Sequence, residues 1–246
     1  MRQMNKKLTI TFVGTKFCGW AKQKNGISVC GTLQKAIESV VGEKITLLGC
    51  SRTDSGVHAR RYVCSFKTKT AIPNEKLVLA VNHYLDEDIR VLKCEDAEDD
   101  FNPAFCAKKK TYIYQIYESK VLDPFLRPYV WHVPASLDFE SMKKACGPFL
   151  GCHDFAAFCA TGGSAKTTTR TIYELDLAKE GDLIKIKVTA DGFLYNMVRI
   201  IAGTLYYVGL GKIKPEEITD IINSGDRSRS GPTAPPCGLF LYEVYY

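Results

Sequence analysis

The chain has 246 residues, 46% of them hydrophobic, 24% charged and 11% aromatic, which fits an ordinary folded protein and excludes disordered, collagen-like and coiled-coil classes. No stretch approaches the ~18 apolar residues of a membrane span, and Leu8–Val13 behind the basic start is too short for a signal h-region, so neither secretion nor membrane insertion is expected. Charge is uneven: residues 1–70 carry thirteen Lys/Arg against three Asp/Glu, net +10, and residues 71–105 carry three against nine, net −6, a polarity that suits gripping a polyanion on one side.

In chain order, Leu8, Ile10 and Phe12 alternate with polar residues as a half-buried strand. Thr32 opens a helix in which Leu33, Ala36, Ile37, Val40 and Val41 form one stripe before Gly42 ends it. Lys44–Cys50 and Tyr62–Lys67 read as strands around the polar segment Ser51–Arg61. Pro73 precedes a second helix with Leu77, Ala80, Val81, Tyr84 and Leu85 on one face, and Asp88–Glu95 is a strand. The order β-α-β-β-α-β over residues 8–95 predicts a ferredoxin-like half, an antiparallel sheet with two helices on one face.

A second α/β half follows the linker Asp96–Cys106. Lys110–Tyr117 predicts a strand with Tyr112, Tyr114 and Ile116 on one face. Phe139, Met142, Cys146, Phe149 and Leu150 read as a helix, and Ile184, Ile186 and Val188 as a strand. A longer helix is expected from near Asp191, with Met197, Ile200, Ile201, Thr204, Leu205 and Val208 in one stripe and Asn196, Arg199 and Gly203 in a second, non-core stripe. A short helix around Ile218, Ile221 and Ile222 and a strand Leu239–Val244 close it. The domains are therefore 1–105, carrying an Asp-bearing loop, and 106–246, carrying a Tyr strand and an Arg helix.

The loop Gly49-Cys50-Ser51-Arg52-Thr53-Asp54-Ser55-Gly56-Val57-His58-Ala59 concentrates chemistry. By spacing alone, Asp54 reads first as an Asx-turn residue bonding the Ser55 and Gly56 backbone. Yet it is the one acid between Glu43 and Glu75, among six Lys/Arg, and a carboxylate in a positive field stays ionised, as a nucleophile or base requires. His58 is a second acid/base or a structural ring. Ten cysteines contain no Cys-x-x-Cys pair and read as reduced thiols of a cytoplasmic protein. Cys152, His153, Asp154 and Cys159 match no standard zinc spacing, so no metal is expected.

This loop resembles the Asp motif of the tRNA pseudouridine synthase A family, and six further strings follow in the family's order. They are Phe17-Cys18-Gly19-Trp20 with Thr32-Leu33-Gln34, Ala107–Tyr114, Gly151–Phe155 with Phe158, Thr169–Ile172, Phe193–Arg199 with Gly203 and Gly211, and Gly231–Pro235 with Gly238-Leu239. Departures are Ala21 and Leu33, and Ser51 and Ser55, where Gly and Ala are commoner. The resemblance implies an α+β fold of two ferredoxin-like (RRM-like) halves with antiparallel sheets joined around a central RNA-binding, active-site cleft. It also implies a cofactor-free, metal-free cytoplasmic homodimer that isomerises uridine to pseudouridine in the tRNA anticodon arm, at tRNA positions 38–40. Asp54 becomes the catalytic carboxylate, which adds to the base, attacks the ribose or removes a sugar proton.

The other roles follow from chemistry laid on that resemblance. A lone guanidinium on an apolar helix is costly unless paired, so Arg199 is expected to pair with Asp54. Tyr112, beside Lys108, Lys109 and Lys110, offers an extruded uracil a stacking surface, with Tyr114 on the same strand face as the rival. Arg52 fills the gap left by the flipped base, or clamps a phosphate. Lys22, Lys24, Arg60, Arg61, Lys67 and Lys69 are expected to contact the RNA backbone, and Lys108, Lys109 and Lys110 beside Tyr112 to bind the RNA as well. The competing class is a non-catalytic RNA-binding or chaperone module on the same fold, for which an acid facing phosphates has no use.

Overall fold

The computed structural model describes residues 3–24, 26–163 and 165–246. In chain order the elements are β1 (Met4–Phe12), α1 (Val29–Val41), β2 (Leu48–Gly49), β3 (His58–Thr68), α2 (Asn74–His83), β4 (Ile89–Ala97), β5 (Lys109–Glu118), β6 (Trp131–Val133), α3 (Phe139–Lys144), β7 (Gly151–Asp154), β8 (Thr169–Glu180), β9 (Leu183–Ala190), α4 (Met197–Gly209), α5 (Ile218–Ser224) and β10 (Leu239–Tyr245). The fold is mixed α+β. It divides into two compact units, Met1–Lys108 with Phe240–Tyr246, and Lys109–Leu239. The sequence boundary left the last strand in the second half; here most of β10 returns to the first, where Phe240 and Leu241 pair in parallel with His58 and Ala59 of β3.

In the first unit β4, β1, β3 and β2 are neighbours in that order, every pair antiparallel. Leu8, Ile10 and Phe12 are buried, as their alternation requires, and Leu8 stands between Cys64 of β3 and Cys94 of β4. The first helix starts three residues before Thr32, because the Ser28 hydroxyl caps it by accepting the Gly31 N–H at 3.1 Å. Gly42 ends it at φ +71°.

The strand expected over Lys44–Cys50 shrinks to Leu48–Gly49. Its first residues bond the α1 side chain instead: Ile45 N–H donates to the Glu38 carboxylate at 3.2 Å and Lys44 pairs with it at 3.0 Å. The second helix stops at His83, leaving Tyr84 exposed. There Asn82 exchanges two 2.8 Å hydrogen bonds with the Val91 backbone and ties the helix end to β4. The acidic segment does not form a face apart from the basic one. Strand pairing sets Asp96 opposite Lys6 and Glu95 opposite Lys7, and ion pairs join Lys6 to Asp96 and Lys16 to Asp88.

In the second unit β5, β9, β8 and β7 are antiparallel neighbours, and β6 adds in parallel to β5. Strands β6, β7 and β8 were not anticipated. Tyr112, Tyr114 and Ile116 are buried together on one face of β5. The third helix ends at Lys144 and gives way to a separate turn at Gly147–Phe149, since Pro148 cannot donate to a continuing ladder. The fourth begins at Met197 instead of near Asp191, because Asn196 has φ +60° and breaks the helical path. It is buried on more than its apolar stripe: Gly203 lies so near the tail that an added Cβ would sit 1.7 Å from the Pro232 carbonyl oxygen.

Candidate active site

In the first unit the Asp54 loop leaves β2 and enters β3, and the loop after β1 clamps it. Trp20 N–H donates to the Thr53 carbonyl at 3.2 Å and Gly56 N–H to the Phe17 carbonyl at 3.3 Å. The Ser55 hydroxyl, where the family commonly has Ala, adds a bond to the same Phe17 carbonyl at 3.2 Å. Gly19, at φ +97°, admits this approach, since a Cβ there would lie 2.3 Å from the Thr53 oxygen. Beneath the loop Trp20 stacks on Tyr62 at 4.2 Å, and the Tyr62 hydroxyl donates to the Ser51 carbonyl. Gly49 leaves room for that pair: a Cβ would meet Tyr62 Oη at 2.2 Å.

These contacts decide the turn at Asp54. The Asp54 carbonyl accepts the Val57 N–H at 3.2 Å, with Gly56 at φ +80°, so the main chain closes the turn and the Gly56 N–H is engaged by Phe17. Asp54 is half-buried and Arg52 is exposed. His58 is structural: it is buried, Nδ1 accepts the Gly14 N–H at 2.9 Å, and its ring stacks on Phe240 at 4.7 Å.

The second unit holds the other two expected residues. Tyr112 is 5% exposed and meets Phe193 edge-on at 4.9 Å, so it is not an open platform, and a base reaching its face must displace a neighbour. Tyr114 is the deeper of the two; its hydroxyl donates to the Pro235 carbonyl at 2.7 Å and burial pushes its phenol well above the usual tyrosine range. Arg199 is half-buried, with Nε donating to the Ala234 carbonyl at 2.7 Å and a terminal nitrogen to Asn196 Oδ1 at 2.8 Å.

The expected RNA contacts Lys22, Lys24, Arg60, Arg61, Lys67, Lys108 and Lys109 are exposed, and Lys110 is half-buried. Several already have protein contacts, Arg60 over the Phe240 ring at 5.6 Å among them. Lys22 donates to Gln34 at 2.6 Å, and Arg61 pairs with Glu243 at 3.4 Å beside a groove of about 470 Å³ lined also by Arg60 and Tyr242. His153 bonds the Leu150 carbonyl and Asp154 the Ala156 N–H, so the suspected zinc motif spends its side chains on local turns. Burial raises the thiols of Cys30 and Cys64, and that of Cys94 to about 11, which removes them as nucleophiles. Sequence reasoning missed Tyr62, Asn196 and Ala234 as supports. Gly49, the stripe of Asn196 with Arg199 and Gly203, and the tail string Gly231–Pro235 were their traces.

The model of a family described as tRNA pseudouridine synthase matches residues 8–106 and 145–246. A protein named tRNA pseudouridine synthase A from Thermoanaerobacter sp. (strain X514) is 50% identical over 242 residues, 98% of this chain and 99% of its own length. Proteins of the same name from Acetivibrio thermocellus and Caldicellulosiruptor bescii are 48% and 45% identical, with 98% and 97% of this chain covered and 99% and 98% of theirs. With the Asp54 loop and the arginine helix inside the residues the family model matches and relatives of 45–50% identity spanning nearly the whole chain, the chain belongs to the tRNA pseudouridine synthase family.

Proposed function

We propose that the chain isomerises uridine to pseudouridine in the anticodon arm of tRNA, and that Asp54 is its catalytic carboxylate. The observation that carries this reading is the construction of the Asp54 loop. Contacts from Phe17, Gly19, Trp20 and Tyr62 hold its backbone, which fixes where the Asp54 carboxyl stands, as a catalytic group requires. The reaction breaks N1–C1′, turns the base and forms C5–C1′, while C5 loses a proton and N1 gains one. Atoms and electrons balance within the substrate, so no cofactor is called for.

In this reading Arg199 keeps Asp54 oriented, Tyr112 receives the base and moves a proton, and Arg52 fills the vacated stack. The exposed cations of the first unit grip phosphates. The two units are read as ferredoxin-like halves, and the working enzyme as a cytoplasmic homodimer. No described helix is long and apolar enough to cross a membrane.

The test is pseudouridine mapping of anticodon-arm transcripts incubated with the pure protein. Wild type is expected to yield product and Asp54→Asn none, with RNA affinity equal or higher because a negative charge has gone. Binding without product from any tRNA would leave the non-catalytic module as the answer. Arg199→Lys is expected to fail as well, since an ammonium cannot offer a planar bidentate fork.

A further inference from the structure

We infer that Asn196 is a positioning residue whose side chain sets the plane of the Arg199 guanidinium. This rests on the reading that Arg199 serves the reaction. Asn196 is the one non-glycine at positive φ among the described residues, at +60° just before α4. L residues avoid that backbone, and glycine adopts it freely. If only the backbone turn mattered, glycine would serve better. Asparagine tolerates the conformation and brings an acceptor, and its Oδ1 takes a hydrogen bond from Arg199 at 2.8 Å.

The second anchor comes from the tail. Arg199 Nε donates to the Ala234 carbonyl at 2.7 Å, and Ala234 N–H donates back to the Arg199 carbonyl at 3.1 Å. The tail is itself tied down: Gly231 N–H donates to Thr204 Oγ1 at 2.9 Å, and Arg227 donates to the Gly231 carbonyl and to Thr233 Oγ1 at 2.9 and 3.0 Å. Two separate segments thus hold Arg199 at Nε and at a terminal nitrogen. A planar fork held at two atoms loses the rotation that a flexible stem otherwise allows.

The test compares Asn196→Gly, Asn196→Asp and Arg199→Gln in pseudouridine formation and by ¹⁵N spectra of the Arg199 guanidinium. Asn196→Gly is expected to fold with an equal or higher Tm, because glycine accepts φ +60°. Its kcat should fall about 10- to 100-fold with KM nearly unchanged, and its guanidinium resonances should show faster rotation. Asn196→Asp keeps the oxygen acceptor and should recover most of the rate and the slow rotation. Full activity and an unchanged guanidinium spectrum in Asn196→Gly would overturn the proposal. Full activity in Arg199→Gln would instead remove Arg199 from the reaction, and the spectra would still decide whether Asn196 holds it.

Discussion

Gly203→Ala puts the contact between α4 and the tail to a quantitative test. In a free helix this change is favourable by about 1 kcal/mol. Here the new Cβ would lie 1.7 Å from the Pro232 oxygen and 2.8 Å from its carbon, both backbone atoms that cannot rotate aside. Ordinary contact begins near 3.4 Å, so helix and tail must part by about 1.7 Å. A shift of that size breaks the bonds from Gly231 N–H to Thr204 (2.9 Å), from Ala234 N–H to Arg199 (3.1 Å) and from Arg199 Nε to Ala234 (2.7 Å). Two neutral bonds at about 1 kcal/mol each and one charged bond at about 1.5–3 give a loss of roughly 3.5–5 kcal/mol. The helix gain leaves roughly 2.5–4, which lowers Tm by about 5–16 °C for a chain of this size. The assay is a thermal melt followed through Trp131, which lies in the same unit, alongside pseudouridine formation. Gly209→Ala on the same helix is the control: its Cβ meets the Met142 sulfur at 2.8 Å and Leu137 Cβ at 3.1 Å, so a flexible thioether gives way and Leu137 needs to shift only a few tenths of an ångström. A Gly203→Ala protein at least as stable as wild type would refute the reasoning.

Three other perturbations follow from the same structure. Asp54→Asn should bind tRNA at least as well as wild type and turn over none, read by gel shift and by pseudouridine mapping; retained turnover with weaker binding would move Asp54 out of the chemistry. Gln34, the Ile45 N–H and Lys44 hold Glu38 down to about 2 from 4.5. Its stabilising effect is therefore full above pH 4.5 and fades as pH falls toward 2, so urea midpoints of wild type and Glu38→Gln should differ at pH 7 and converge in acid. Removing Arg60 and Arg61 together should flatten the salt dependence of tRNA binding by roughly one to two units and leave the saturated rate unchanged. Arg61 already pairs with Glu243, which favours the smaller value, and a lowered rate with an unaltered slope would place both arginines in the loop's architecture.

Local pattern was enough for the elements whose partners lie nearby in sequence. The alternation of Leu8, Ile10 and Phe12, the stripe Leu33–Ala36–Ile37 and the strand face Tyr112–Tyr114–Ile116 are all buried as read, because a period of 2 or 3.6 directly states which side meets a core. The motif order likewise carried the family, since chemistry restricts residue identity more tightly than packing does. What local pattern could not reveal were boundaries set by distant groups. Glu38 captures Lys44 and Ile45 and shortens β2, Asn82 ends α2 by bonding Val91, and β10 closes on β3 across most of the chain. The supports of the candidate site belong to this second kind. The Tyr62 hydroxyl under Ser51, the Phe17 carbonyl on Gly56 and the Ala234 carbonyl on Arg199 are hydrogen bonds between segments apart in sequence. No periodicity records such pairs, because only the folded backbone decides which donor reaches which acceptor.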